Sequence, residues 1–431
     1  MNNVDFSSRE YKRSRNSYIA QCAIDYCIAL LISGVYLVKL LKHIGLSDAV
    51  IGLISSVTSF AFLIQLLSIG LVKAIKNTRK VVIGFTFLFQ LFIITLYFIP
   101  FLPVSRTVKA ISIVTFFVSS HMIKCLISGI HFKWANSFVS PDTRGVYSAV
   151  KEMVSLISSI VYMFVISYIV DRFISTGNLE GGFIFLGIMT VVLNIFNFTS
   201  LFMIGNSRSD AEEINERKTG MKVVFSKVIG NKNFLSIIIL SSIYNVAVYA
   251  TTPFMGVYTV GELAMGVFLI QLVSNISSVV RMFISVPFGK FSDKTSYATG
   301  IYLGLIIAAA GFLFNMFARP ETWWLYIVFA ILNNVSVAGL GQNMDNVCYS
   351  YVESDYLVQA LAIKNSIGGI VGFLATLGAS AVVDYIQSNN NMIFGMHIYA
   401  QQLLSCVSMV LLVIGALYCN KVIRKQKIMK Q

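Results

Sequence analysis

The sequence predicts an all-α polytopic membrane protein, with twelve transmembrane helices in two pseudo-symmetric six-helix halves. Three observations predict it. The 431 residues are 56% hydrophobic and only 12% charged, with a mean hydropathy of +0.76, outside the range of soluble chains. Apolar runs recur along the whole chain, each near or above the roughly 20 residues that cross a bilayer core of about 30 Å. One long polar stretch, 205–232, interrupts them and leaves six runs on either side.

The runs fall at 16–41, 48–72, 81–102, 109–135, 146–171, 181–204, 233–260, 264–288, 298–318, 322–349, 357–386 and 396–420. Lipid offers no partner for backbone N–H and C=O groups, so spanning segments are helices or closed barrels. These runs are too long for tilted barrel strands and therefore read as helices. The organisation that follows is a polar basic lead over 1–15, a first bundle over 16–204, a linker over 205–232, a second bundle over 233–420 and a basic tail over 421–431.

Lys and Arg set the orientation. One set of run ends carries Arg9, Lys12, Arg13 and Arg15, then Lys73, Lys76, Arg79 and Lys80, then Arg144, the linker "RKTGMKVVFSK", Lys290, Lys294 and "KVIRKQKIMK". The opposite set has Lys42, Arg106, Lys109, Arg172 and Arg319. Both termini are expected in the cytoplasm, and the net charge of +14 reads as this bias toward anionic headgroups, with no call for nucleic acid. The first run is too long for a signal-peptide core and reads as a retained helix. All six cysteines lie in apolar runs without a CxxC pair, which suits buried thiols better than metal or redox chemistry.

Self-similarity is the next signal. "SPDTRGVYSAVKEMVSLISSIVYMFVISYIVDRF" aligns without a gap on "ESDYLVQALAIKNSIGGIVGFLATLGASAVVDYI", matching Asp142 to Asp355, Ala149 to Ala362, Lys151 to Lys364 and Asp171 to Asp384. The offset, 384 − 171 = 213, is about half the chain. Two like-oriented six-helix halves joined by a charged linker form sites near mid-membrane. "GKFSDKTSY" resembles a cytoplasmic loop signature of the major facilitator superfamily: Gly289, Asp293 and Lys294 match, whereas Ser296 and Tyr297 replace its trailing glycine and arginine. The first-half counterpart, "GLVKAIKNTRK", keeps Arg79 and Lys80 but lacks the acid.

The resemblance implies a cavity lined by spans one, four, seven and ten, and each carries polar residues. Tyr18, Gln21, Asp25 and Tyr36 in span one fall within roughly 40° of one another if it is one continuous helix. Span four has His121, Lys124, Ser128 and His131; span seven has Ser242, Asn245, Tyr249 and Thr252; span ten has Asn333 and Asn334. The two glycines of "AGLGQNMDN" are expected to loosen span ten. Asp25 and Lys124 lie near mid-depth, where a lone charge costs about 2.5–3.5 kcal/mol, so they are expected to pair or face a cavity. Burial and a neighbouring ammonium act oppositely on a carboxyl's hold on its proton, which makes Asp25 a candidate for proton coupling and Lys124 its partner or an anion-binding group.

Gln21, Asp25, His121, Lys124, Ser128, Asn245, Tyr249, Asn333 and Asn334 are thus the candidate binding and coupling residues. A second set nearer the cytoplasm, Lys151, Glu152, Arg281 and Lys364, lies on spans that the resemblance puts at the interface between halves. With Arg144, Asp293 and Lys294 they are candidate gating charges. There is no P-loop, nucleophile elbow, H-E-x-x-H or metal-ligand cluster, so an enzyme or direct ATP coupling is not expected. No cofactor is expected.

The expected function is proton-coupled secondary transport of a small polar or anionic solute by a monomer in a bacterial plasma membrane. Proton-coupled efflux of amphipathic compounds is the alternative, although span five lacks the Gly-Pro pair of many drug antiporters in that family. A non-transporting sensor of the same fold is the reading from another class, and the short tails argue against it.

Overall fold

The computed structural model describes residues 8–57, 61, 64, 77–139, 144–206, 230–352, 357–393 and 395–426. Among them, eleven helices are long and apolar enough to cross a membrane. The remaining expected span, 48–72, lies largely outside the described residues, as do most of linker 205–232, the loop residues Lys73 and Lys76, and the repeat pair Asp142 and Asp355. The helices are α1 (Arg9–Leu31), α2 (Gly34–Ile44), α3 (Asp48–Ser55), α4 (Thr78–Leu96), α5 (Arg106–Asn136), α6 (Arg144–Ser175) and α7 (Leu179–Phe202). Then come α8 (Lys232–Thr251), α9 (Val267–Lys294), α10 (Tyr297–Asn315), α11 (Trp324–Tyr351), α12 (Leu357–Ser388) and α13 (Ala400–Lys421).

The chain divides into two compact units, one of Met1–Leu46 with Ile64–Arg217 and one of Ser47–Leu63 with Lys218–Gln431. In the first, α1 packs on α6 and α7, and α4 packs on α5 and α7. Its buried cluster joins Tyr18, Val82, Ile130, Trp134, Phe138 and Leu201. In the second, α10 packs on α11 and α13, and α8 packs on α12 and α13. The repeat is visible where the helices end: α6 stops at Ser175 and α12 at Ser388, again 213 residues apart.

Three local departures from the sequence expectation have physical causes. The first run is not one helix. It stops at Leu31 and restarts at Gly34, whose φ of +53° is left-handed and open to glycine at no steric cost. Tyr36 therefore does not continue the stripe of Tyr18, Gln21 and Asp25, and is buried at 2% exposure. The seventh run ends its α-helix at Thr251; Pro253, which lacks an N–H, sits in a 3₁₀ turn followed by a π turn over Tyr258–Glu262. In the tenth run, the glycines do not loosen α11, which is continuous to Tyr351. A side chain on Gly339 would lie 2.2 Å from the Phe288 ring of α9, so this glycine seats a neighbour.

Glycines serve the same purpose on α12. A β-carbon at Gly368 would meet the Asn245 amide at 2.7 Å, and one at Gly372 the Tyr249 ring at 2.6 Å. Small residues let helix axes approach closely, and Thr376 closes the contact by donating to the Tyr249 carbonyl at 2.7 Å. On the same helix Ser380 donates to the Ala49 carbonyl and Gln387 donates to Asp48, which holds the short α3 within the second unit.

In the first unit a buried amide trio ties three helices together. Gln90 of α4 donates to the Asn197 side chain of α7 at 2.9 Å, and Gln21 of α1 donates to the same oxygen at 3.5 Å. Replacing Asn197 by Ala removes the shared acceptor and strands two buried amides. Unfolding in detergent is expected to show Asn197→Ala destabilised by about 1–3 kcal/mol, and an unchanged midpoint would show that the trio holds nothing.

Candidate functional site

The charges of the first unit assemble on α1 and α5. Lys124 of α5 donates to Asp25 Oδ2 of α1 at 2.7 Å. Both residues lie within apolar membrane-length helices, where each ion needs a counterion or water. The pair is not sealed: the Lys124 side chain is 37% exposed and that of Asp25 22%. Lys124 also sits 5.8 Å from the centre of the Phe89 ring, a favourable seat for an ammonium.

His121 is one turn before Lys124. Its Nδ1 lies 2.9 Å from the Phe117 carbonyl oxygen. A carbonyl only accepts, so Nδ1 carries the proton and Nε2 is the atom left for other partners. Ser128 turns back to the Cys125 carbonyl at 2.8 Å. His131 is edge-on to Tyr18 at 5.4 Å, and its buried Nε2 has no hydrogen-bond partner among the described residues. Gln21, grouped with Asp25 by helical spacing, is only 3% exposed and belongs to the amide trio.

In the second unit the candidates are amides and a phenol. Asn245 donates to the Ser241 carbonyl at 2.7 Å and Asn334 to the Ala330 carbonyl at 3.0 Å, each one turn back on its own helix. Asn333 and Tyr249 are half-buried. Lys364 of α12 forms an ion pair with Asp345 of α11, so its charge is compensated inside its own unit. Glu152, Asp293 and Lys294 are exposed and Arg281 is half-buried. The side chain of Arg144 lies outside the described residues.

Asp345, Gln90 and Asn197 are functional or structural partners that residue spacing did not single out. Asp345 falls inside "AGLGQNMDN", where neighbouring polar residues mask it as part of a run end. Gln90 is a lone amide in its apolar run and Asn197 shares its run only with Asn194, the signal by which a buried polar network is found. Among the described residues, no group of three His, Cys, Asp or Glu is placed to hold a metal ion. The cysteines are free thiols, with Cys27, Cys348 and Cys419 buried and Cys22, Cys125 and Cys406 half-buried.

No curated protein sequence matches the chain. Solved structures match its fold at low identity. A mutant of the nucleoside transporter NupG superposes with a TM-score of 0.71 at 14% identity, over 95% of this chain and 99% of that one. A bacterial homologue of the human lysosomal transporter Spinster, in an inward-facing conformation, gives 0.67 at 13% identity over 98% of both chains. A D-xylose–proton symporter gives 0.68 at 12% identity over 93% of this chain and 96% of that one. At these identities the likeness is one of fold, but the sequence profile described as Major Facilitator Superfamily matches residues 18–376. With most of its length matched, this integral membrane chain of transporter fold belongs to the major facilitator superfamily.

Proposed function

We propose that the protein is a proton-coupled secondary transporter of a small polar or anionic solute, working by alternating access in a bacterial plasma membrane with both termini in the cytoplasm. The observation that supports this most is the contact of Lys124 with Asp25 at 2.7 Å, inside apolar helices yet with both side chains accessible. A pair used only to dock two helices gains nothing from access. A pair that exchanges partners requires it. The superfamily membership and the D-xylose–proton symporter among the related folds agree with this reading.

The cycle follows from the charges. A proton on Asp25 removes the negative partner of Lys124, and the freed ammonium binds the solute's anionic or hydrogen-bonding group. His121 Nε2 supplies a second polar contact one turn away. When the solute leaves, Lys124 returns to the Asp25 carboxylate and the proton is released. Proton and solute then move together because each state of the carboxyl fits one state of the ammonium. On the second unit Asn245, Tyr249, Asn333 and Asn334 provide neutral hydrogen-bonding groups, while Arg144, Arg281, Asp293 and Lys294 join Glu152 as gating charges.

Reconstituted protein tests the coupling. Asp25→Asn is expected to retain exchange of labelled solute down its gradient and to lose accumulation driven by an inward proton gradient. Uphill transport with unaltered pH dependence would remove Asp25 from the mechanism. A ligand screen by thermal shift, run at mildly acidic and mildly alkaline pH, names the solute by mass action on the folded state. Hits confined to lipophilic cations would favour the efflux alternative.

The same pair predicts a stability cycle. Removing one partner strands the other charge, at a cost of about 3–5 kcal/mol when fully buried. With 37% and 22% exposure, solvent lowers that to roughly 1–3 kcal/mol. Lys124→Gln and Asp25→Asn are each expected to lower the unfolding midpoint in detergent, and the double variant to recover most of the loss. Additive losses would mean that the two residues act separately. Glu152→Gln is expected to slow transport with solute binding retained; transport at the original rate would discard its gating role.

A further inference from the structure

The offset of 213 that relates the two units matches more than sequence. It carries Lys364 onto Lys151 and Asp345 onto Phe132. In the second unit these two positions form an ion pair, Lys364 with Asp345. In the first unit the same two positions also meet, but Lys151 lies over the Phe132 ring, 5.7 Å from its centre. A second ring, Tyr18 of α1, faces the ammonium at 5.4 Å. The repeat thus keeps the lysine and its neighbour and replaces the carboxylate by an aromatic ring.

The consequence is electrostatic. Aromatic faces favour an ammonium but leave its charge unneutralised. Among the described residues, no carboxylate lies within ion-pair distance of Lys151; Glu152, next in sequence, points to an exposed position of its own. The site is built rather than incidental. Its three side chains come from three helices, α1, α5 and α6, Lys151 is half-buried, and Tyr18 is fixed at 5% exposure. Phe132, in contrast, is 54% exposed, so one wall is an open apolar face. Cys22 lies within electrostatic range of Lys151 and of both Asp25 and Lys124, which puts this ammonium in the neighbourhood of the accessible ion pair.

We infer that Lys151, Tyr18 and Phe132 form a binding site for an organic monoanion whose charged head adjoins an apolar or aromatic body, the ligand taking the place that Asp345 fills in the second unit. The inference deepens the transport reading and rests on it: it assigns the solute to the amphiphilic organic acids, with the ammonium taking the head and the Phe132 face the body. A solute carboxylate and the headgroup of an anionic lipid share this chemistry, and the test separates them.

Benzoate is the probe and uncharged benzamide its control, measured by thermal shift on full-length protein in detergent free of anionic lipid. Benzoate is expected to raise the unfolding temperature and benzamide to leave it unchanged. Lys151→Gln is expected to weaken the benzoate response by roughly tenfold or more in concentration, the scale of one lost charge-assisted contact, and Lys151→Arg to retain it. Phe132→Asp, which copies the second unit's arrangement, is expected to abolish it by supplying an internal counterion. Repeating the measurement in nanodiscs of phosphatidylcholine and of phosphatidylglycerol assigns the source: stabilisation by phosphatidylglycerol alone, lost in Lys151→Gln, identifies a lipid headgroup as the occupant.

Absence of any response to both benzoate and phosphatidylglycerol overturns the site, as does a response that Lys151→Gln and Phe132→Asp leave intact. Benzoate binding lost in Lys124→Gln but retained in Lys151→Gln moves the anion to the Asp25 pair, which sinks this inference and preserves the proposed function. Benzoate binding that depends on Lys151, together with proton-driven transport indifferent to Asp25→Asn, does the reverse.

Discussion

A peptide group or a charge inside a bilayer finds no water, and most of this protein follows from how the chain meets that constraint. Backbone groups are satisfied within long helices. Where the helix breaks, the residues flanking the break are packed: Leu31, Val35 and Phe254 are all at most 4% exposed, while Ser33 and Gly34 themselves are exposed and Ser33 turns its hydroxyl back to the Leu30 carbonyl. Many side-chain polar groups are satisfied next, by turning back on their own helix, as Asn245, Ser128 and Asn334 do, or by bridging helices, as Asn197 does for Gln21 and Gln90. Charges come last and cost most, so where they sit reveals what the chain retains for function.

Three lysines of the membrane helices differ in what neutralises them. Lys364 has a carboxylate and a buried ammonium, 8% exposed at the side chain, with only the Asp345 side open at 40%, which suits a contact whose lysine stays in place between α11 and α12. Lys124 has a carboxylate and considerable exposure, which suits a contact that opens. Lys151 has aromatic faces in place of a carboxylate, which suits a ligand that brings its own charge. Duplication of a six-helix unit followed by divergence at single positions produces this range: α6 and α12 end at positions 213 residues apart, and the difference between Asp345 and its counterpart Phe132 alters only what the lysine needs.

The sequence carried the fold because its strongest signal, apolar runs of spanning length, is the one the bilayer enforces. It also carried the Asp25 and Lys124 contact, since two opposite charges at similar depth in neighbouring runs have few alternatives. Other features were hidden for identifiable reasons. A glycine in an apolar run does not announce whether it breaks the helix, as Gly34 does, or admits a neighbour's ring, as Gly339 does; only the packing partner distinguishes them. Gln21 lay on the same helical stripe as Asp25, yet periodicity gives a direction and not a neighbour, and α7 occupies that direction. Asp345 was obscured by the polar residues Gln342 and Asn343 beside it. Its repeat counterpart is aromatic, so self-similarity could not bring it out.

The central claim is that Asp25 changes protonation when solute binds and Lys124 changes partner. Infrared difference spectroscopy of the reconstituted protein, with and without the first solute identified by thermal shift, reads this directly. The account predicts a protonated-carboxyl carbonyl band that appears on solute binding and is missing in Asp25→Asn. Solute binding with no such band, or with a band that persists in Asp25→Asn, would contradict it and leave the pair as a fixed link between α1 and α5.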